Sequence, residues 1–130
     1  MKLLCIEDNF LKRNHIGEFF EKKGITMDEM EYINPALEYI FKNKDKISGI
    51  ILDLGLKSSK WSDDYDSYKG LEVITELENK QIQIPILINS PLEIHFKDNE
   101  HPCVFGHRKR NNDYKLLEDF ISFLKQREKQ

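Results

Sequence analysis

The chain is short of cysteine, of long apolar runs and of any large excess of one charge. Its two cysteines, Cys5 and Cys103, cannot build a disulfide framework. In a reducing compartment they are expected as small buried thiols. No run approaches the ~20 apolar residues that a membrane span needs. The N-terminal Met-Lys-Leu-Leu-Cys-Ile-Glu-Asp carries too short an apolar run for a signal peptide. A cytoplasmic protein without membrane contact is therefore expected. Lys+Arg number 20 against 23 Asp+Glu, a net charge of −3. So small an excess argues against a nucleic-acid binder that relies on bulk charge. There is no internal repeat and no low-complexity tract.

What is present suits one globular domain over residues 1–130, with 39% apolar and 33% charged residues. A chain of this length buries roughly 65–70% of its unfolded surface, enough for a proper core. Short apolar blocks alternate with longer periodic ones. Leu3-Leu4-Cys5-Ile6 predicts a buried strand. Asn9 then caps a helix with Leu11, Ile16, Phe19 and Phe20 on its buried face, ending at Lys22-Lys23-Gly24. Residues 25–33 predict a second, less apolar strand at a sheet edge. Asn34-Pro35 opens a second helix, with Leu37, Ile40 and Phe41 inward. Gly49 to Leu54 is the clearest strand. A polar stretch from Lys57 to Lys69 follows, then a helix with Leu71, Ile74 and Leu77. Pro85 to Ile88 predicts a fourth strand, and residues 91–101 show poor periodicity. Cys103-Val104-Phe105 predicts a brief fifth strand, and a last helix capped near Asp113 carries Leu116, Leu117, Phe120 and Leu124. This alternation predicts an α/β fold: a doubly wound, five-stranded parallel sheet with helices on both faces.

Ligands of such sheets sit at the carboxyl ends of strands, near a topological switch point. Strand one ends in Glu7 and Asp8, strand three in Asp53, and strand four in Ser90. With strands one and three adjacent, the three carboxylates converge. They repel one another unless a cation sits among them, and an all-oxygen set suits Mg²⁺. The Ser90 hydroxyl and a cation beyond strand five, from among His107, Arg108, Lys109 and Arg110, complete a phosphate-sized site. Carboxylate, hydroxyl, cation and metal are the parts that phosphoryl transfer uses.

The segment Leu4-Cys5-Ile6-Glu7-Asp8-Asn9 resembles the opening of the receiver domain of two-component response regulators. Ile50-Ile51-Leu52-Asp53-Leu54 resembles its phosphoacceptor strand, Pro85 to Ser90 its fourth strand, and Gly70-Leu71-Glu72-Val73 the start of its third helix. The resemblance implies the flavodoxin-like receiver fold. It implies that Glu7, Asp8 and Asp53 hold Mg²⁺, and that Asp53 takes a phosphoryl group from a histidine kinase or phosphotransfer protein, as in a phosphorelay. Ser90 would bond that group and move toward it, with Phe105 as the aromatic switch residue. Such a chain is a phosphoacceptor rather than a turnover enzyme. With no segment after the last helix, a stand-alone receiver acting through a downstream protein partner is expected, and a homodimer stays open. The family's Lys-Pro after strand five is absent. Arg108 matches its position and Lys109 its chemistry. The loop after Asp53 is longer than usual, with Trp61 expected to overhang the site, and Pro91 stands where a small residue is usual.

Blander readings stand beside these. Glu7 and Asp8 could cap a helix, Phe105 could be core, and residues 108–110 could be a solvated basic turn. His95, His101 and His107 lack zinc spacing. Two other functions compete. One is a pseudo-receiver that works as an interaction module without phosphorylation. The other is a Mg²⁺-dependent phosphohydrolase or nuclease-like domain, disfavoured because neither Glu7-Asp8-Asn9 nor Asp53-Leu54-Gly55 supplies an Asp-x-Asp.

Overall fold

The near-continuous apolar runs form the centre of a five-stranded sheet. A computed structural model describes residues 1–129. In chain order the elements are β1 (Lys2–Ile6), α1 (Phe10–Lys22), β2 (Thr26–Met30), α2 (Ile33–Asn43), β3 (Gly49–Leu52), α3 (Leu71–Asn79), β4 (Ile86–Asn89), β5 (Val104–Arg108) and α4 (Tyr114–Glu128). The strands lie in the order β2-β1-β3-β4-β5, all parallel. This is the expected doubly wound sheet, with β2 at one edge. Neighbouring side chains of a strand point to opposite faces. Leu4, Ile6, Ile50, Leu52, Ile86 and Ile88 therefore pack with α2 and α3. Leu3, Cys5, Ile51 and Leu87 pack with α1 and α4. Each fully buried Leu, Ile or Phe in these layers contributes about 1.5–3 kcal/mol.

Local signals account for most boundaries. Asn9 Oδ1 accepts from the Lys12 amide at 3.1 Å, and Asp113 Oδ1 from the Leu116 amide at 3.1 Å. Gly24, at φ 71°, turns the chain out of α1. The start of α2 differs from the Asn34 cap expected. Its first donors are met by the distant carbonyls of Lys57 and Ser58, so the helix opens at Ile33 without a side-chain cap. That rotates its buried face to Ile33, Ala36 and Ile40, leaving Phe41 exposed. Leu11 is likewise 75% exposed, outside the face made by Ile16 and Phe20.

Two further differences bear on the site. Residues 91–103 carry no helix. Leu92, Ile94 and Phe96 instead alternate toward the α2/α3 face and cover it as an extended segment. β5 is longer than predicted. Ile86 pairs with Val104 but Leu87 with Gly106, so Phe105 is the extra residue of a bulge. Beyond it the strand continues through His107 and Arg108. Among the described residues, no helix is long and apolar enough to cross a membrane.

Candidate functional site

The carboxylates meet because β1 and β3 end side by side. Ile6 pairs with Leu52, and the Asp53 amide donates to the Ile6 carbonyl at 2.9 Å. The strand order reverses between these two strands, the switch point at which open α/β sheets place ligands. One carboxylate oxygen each from Glu7, Asp8 and Asp53 lies within 4.8 Å of the others. Glu7 and Asp53 are buried, at 1% and 7% exposure, while Asp8 is exposed. Glu7 Oε2 accepts from the Asn9 amide at 3.3 Å. Glu7 Oε1 is buried with no donor facing it. Burial, and next the facing Asp53 carboxylate, push the Glu7 carboxyl far above its ordinary 4.5. Burial also raises Asp53, opposed by its bond with Glu7, by the Leu54 amide and by the charge of Lys12. One buried carboxylate oxygen of the cluster is thus left without a hydrogen-bond partner among the described residues. The three-carboxylate donor set fits a hard divalent cation such as Mg²⁺.

A cleft of about 280 Å³ opens on this cluster, lined among others by Asp8, Lys12, Asp53, Tyr65, Ser67 and Ser90. The expected hydroxyl therefore stands in the same cleft as Asp53. Ser90 is 4% exposed, and its Oγ accepts from the Leu92 amide at 3.3 Å. Its amide donates to the Arg108 carbonyl at 3.0 Å. His107 Nε2 lies 2.8 Å from the Ser90 carbonyl, an arrangement satisfied when that nitrogen carries a proton. Tyr65 and Ser67 border the cleft from the long loop, whereas Trp61 is 86% exposed and does not line it. Asp64 anchors that loop by accepting from the Ser58 amide and both the Ser58 and Ser62 hydroxyls, and by pairing with Lys69 at 3.4 Å.

Neither cation expected beyond β5 lines the cleft. Arg108 is 1% exposed because it lies within the lengthened strand, not in a turn after it. Its Nε donates to the Asp113 carbonyl at 2.9 Å, its Nη1 to Asn89 Oδ1 at 2.8 Å, and its Nη2 to the Asn111 carbonyl. These bonds stitch the β5–α4 connection to the end of β4. Lys109 is exposed, and its Nζ pairs with Glu93 Oε2 at 2.7 Å. Phe105 packs its ring on Phe120 and Phe123 of α4, at centroid distances of 5.2 and 5.0 Å.

Three contributors were not singled out in the sequence. Lys12 enters the cleft from the first turn of α1. Arg13 donates to the Glu7 carbonyl at 2.9 Å and lies 3.2 Å from Glu31, tying α1 to the acidic corner. Asn89 holds Arg108. A lysine three residues into a helix that follows a carboxylate pair was the available signal for Lys12. The role of Gly70, by contrast, gains a cause. Its amide donates to the Leu54 carbonyl at 2.7 Å, and a Cβ there would sit 2.2 Å from the Asp53 carbonyl oxygen. Only glycine lets α3 start this close to the site.

No protein-family model matches the chain, and no curated protein matches it in sequence. Solved structures do match in shape. A two-component response regulator from Clostridium difficile superposes with a TM-score of 0.73 at 19% identity, covering 100% of this chain and 99% of that one. The signal receiver domain of a Luxo repressor protein from Vibrio parahaemolyticus gives 0.75 at 17%, covering 98% and 92%. The response regulator TrrA from Thermotoga maritima gives 0.71 at 19%, covering 95% and 97%. It is known both in complex with Mg²⁺-BeF and in complex with the histidine kinase ThkA. The fold of this chain is that of the receiver domains of response regulators.

Proposed function

We propose that the chain is a phosphoacceptor receiver, with Asp53 as the residue that takes the phosphoryl group. The observation that carries this reading is the convergence of Glu7, Asp8 and Asp53 within 4.8 Å, in a cleft that also holds Ser90. Asp53 is held rigidly by the backbone bond to Ile6 and by the close approach of Gly70. One of its oxygens forms the new bond to phosphorus. The bond from phosphorus to the donor breaks, and the donor group leaves with the electron pair. Held by Glu7, Asp8 and Asp53, Mg²⁺ would supply the positive charge that lets an anionic donor approach three carboxylates. The Ser90 Oγ, which accepts from the Leu92 amide, donates its own proton to a phosphoryl oxygen. The Ser90 main chain is tied to Arg108 and His107, so its movement would be felt along β5 and offered to a downstream protein partner.

The complex of TrrA with ThkA supports a histidine kinase as donor, or a phosphotransfer protein that presents the same phosphohistidine. A second reading, a pseudo-receiver that acts only as an interaction module, is favoured by the engagement of Arg108 and Lys109 elsewhere. Acetyl phosphate with Mg²⁺ separates the two. A mass gain of one phosphoryl group, abolished by chelator, supports the acceptor. An unmodified protein, under conditions that label a known receiver, supports the module.

A further inference from the structure

A protein cation beside the transferred group would take up charge on the phosphoryl oxygens, and neither cation after β5 lines the Asp53 cleft. Arg108 spends its guanidinium on two carbonyls and an amide oxygen. Lys109 is paired with Glu93. Among the described residues that line the Asp53 cleft, one side chain is basic, and it is Lys12. It stands in the cleft with Asp53 and Ser90, and it also borders the adjoining crevice that Ser90 shares with Arg108 and Lys109. Among the described residues its ammonium makes no ion pair and no side-chain hydrogen bond, so it is free to turn to an incoming anion.

Its position in the helix points the same way. α1 has no acidic residue in its first turn and carries Lys12 there, one residue before Arg13. A cation at a helix N-terminus opposes the macrodipole, where an acidic residue would be favoured. That placement is reasonable if the cation serves something just beyond the helix end. Asn9, which caps the helix by accepting from the Lys12 amide, fixes where the stem of Lys12 leaves the backbone. A lysine ammonium on a flexible stem, with three donors, can follow the phosphoryl oxygens as they move onto Asp53.

We infer that Lys12 of α1, in place of a cation after β5, is the protein cation that binds the phosphoryl group at Asp53. The inference rests on the receiver reading above. Asp53 bonds to the phosphorus of acetyl phosphate, the phosphorus–acetate bond breaks, and acetate leaves with the electron pair. Lys12 donates to the oxygens that carry the charge throughout.

The test compares wild type, Lys12→Gln, Lys12→Arg and Lys109→Gln with acetyl phosphate and Mg²⁺, read by intact mass. Lys12→Gln should label roughly a hundredfold more slowly, the scale of losing one charge-stabilising donor. Lys12→Arg should recover part of the rate, and Lys109→Gln should match wild type. A second readout does not depend on transfer. Mg²⁺ alone should raise the melting temperature of every variant. Beryllofluoride added afterwards should raise it further in wild type and Lys109→Gln, and not in Lys12→Gln. Wild-type labelling by Lys12→Gln, or slow labelling by Lys109→Gln instead, overturns the inference while leaving Asp53 as acceptor. If wild type neither labels nor responds to beryllofluoride, the receiver reading fails and the inference with it.

Discussion

Replacing Arg108 by Met should cost the fold about 2–4 kcal/mol, although the sequence offered this residue as one of two candidates for the cation of the phosphate site. The side chain is 1% exposed and donates three hydrogen bonds, to Asp113, Asn89 and Asn111. Leaving a buried acceptor unsatisfied costs about 1–3 kcal/mol, so losing the donor to all three costs roughly 3–9 kcal/mol. Against this stands the desolvation of a guanidinium with no carboxylate paired to it, several kcal/mol after relaxation. Burial accordingly holds Arg108 below its ordinary 12.5, with the charge of Asp113 acting in the opposite direction. Met keeps most of the stem volume, so little cavity is added. The remainder, about 3 kcal/mol, corresponds to roughly 10 °C in melting temperature at this chain length. Urea denaturation is the assay: the midpoint should fall with the slope unchanged. Arg108→Lys should fall nearly as far, because one ammonium cannot reach three acceptors set in different directions. A loss below about 0.5 kcal/mol in Arg108→Met, the range of ordinary surface substitutions, would refute the staple and return Arg108 to the candidates for the phosphate site.

Two further outcomes follow from the site. Gly70→Ala should cost about 1–3 kcal/mol by overpacking, because its Cβ would meet the Asp53 carbonyl at 2.2 Å, and it should slow labelling by moving Asp53; a wild-type melting temperature and labelling rate would contradict the close approach. Without Mg²⁺, wild type should lose stability as pH rises above about 4.5. The Glu7 carboxyl is raised in the folded state, so its contribution is complete below its ordinary value and lost as pH climbs through the folded one. Glu7→Gln should flatten that slope and remove the Mg²⁺-dependent rise in melting temperature. Equal slopes in urea midpoint against pH would show that Glu7 is not the strained carboxylate.

The acidic half of the site was legible because strand ends are where α/β sheets place chemistry, and Glu7, Asp8 and Asp53 each follow an apolar run. The edge position of β2 followed from its mixed, less apolar pattern, which suits a strand with one side unpaired. The cationic half was harder to read: the sequence offered Arg108 and Lys109, and neither lines the Asp53 cleft. Val104-Phe105 reads as the end of a strand because polar residues follow, yet pairing continues to Arg108 past a bulge that composition does not mark. Lys12 looks like any surface lysine until the fold brings the start of α1 to the cleft that holds Asp53 and Ser90. Residues 91–101 show poor helical periodicity, and Leu92, Ile94 and Phe96, at a spacing of two, pack against the core without a helix. The start of α2 depends on carbonyls some twenty-five residues away, at Lys57 and Ser58, which no local signal reports.

The most direct test of the account is to locate the phosphoryl group. Wild type and Asp53→Asn are incubated with acetyl phosphate and Mg²⁺, treated with hydroxylamine, and mapped by peptide mass spectrometry. The account expects an acyl phosphate, so wild type should lose the phosphoryl mass and gain a hydroxamate at residue 53, while Asp53→Asn gains neither. A hydroxylamine-stable phosphate, a hydroxamate at another residue, or equal labelling of Asp53→Asn would contradict it.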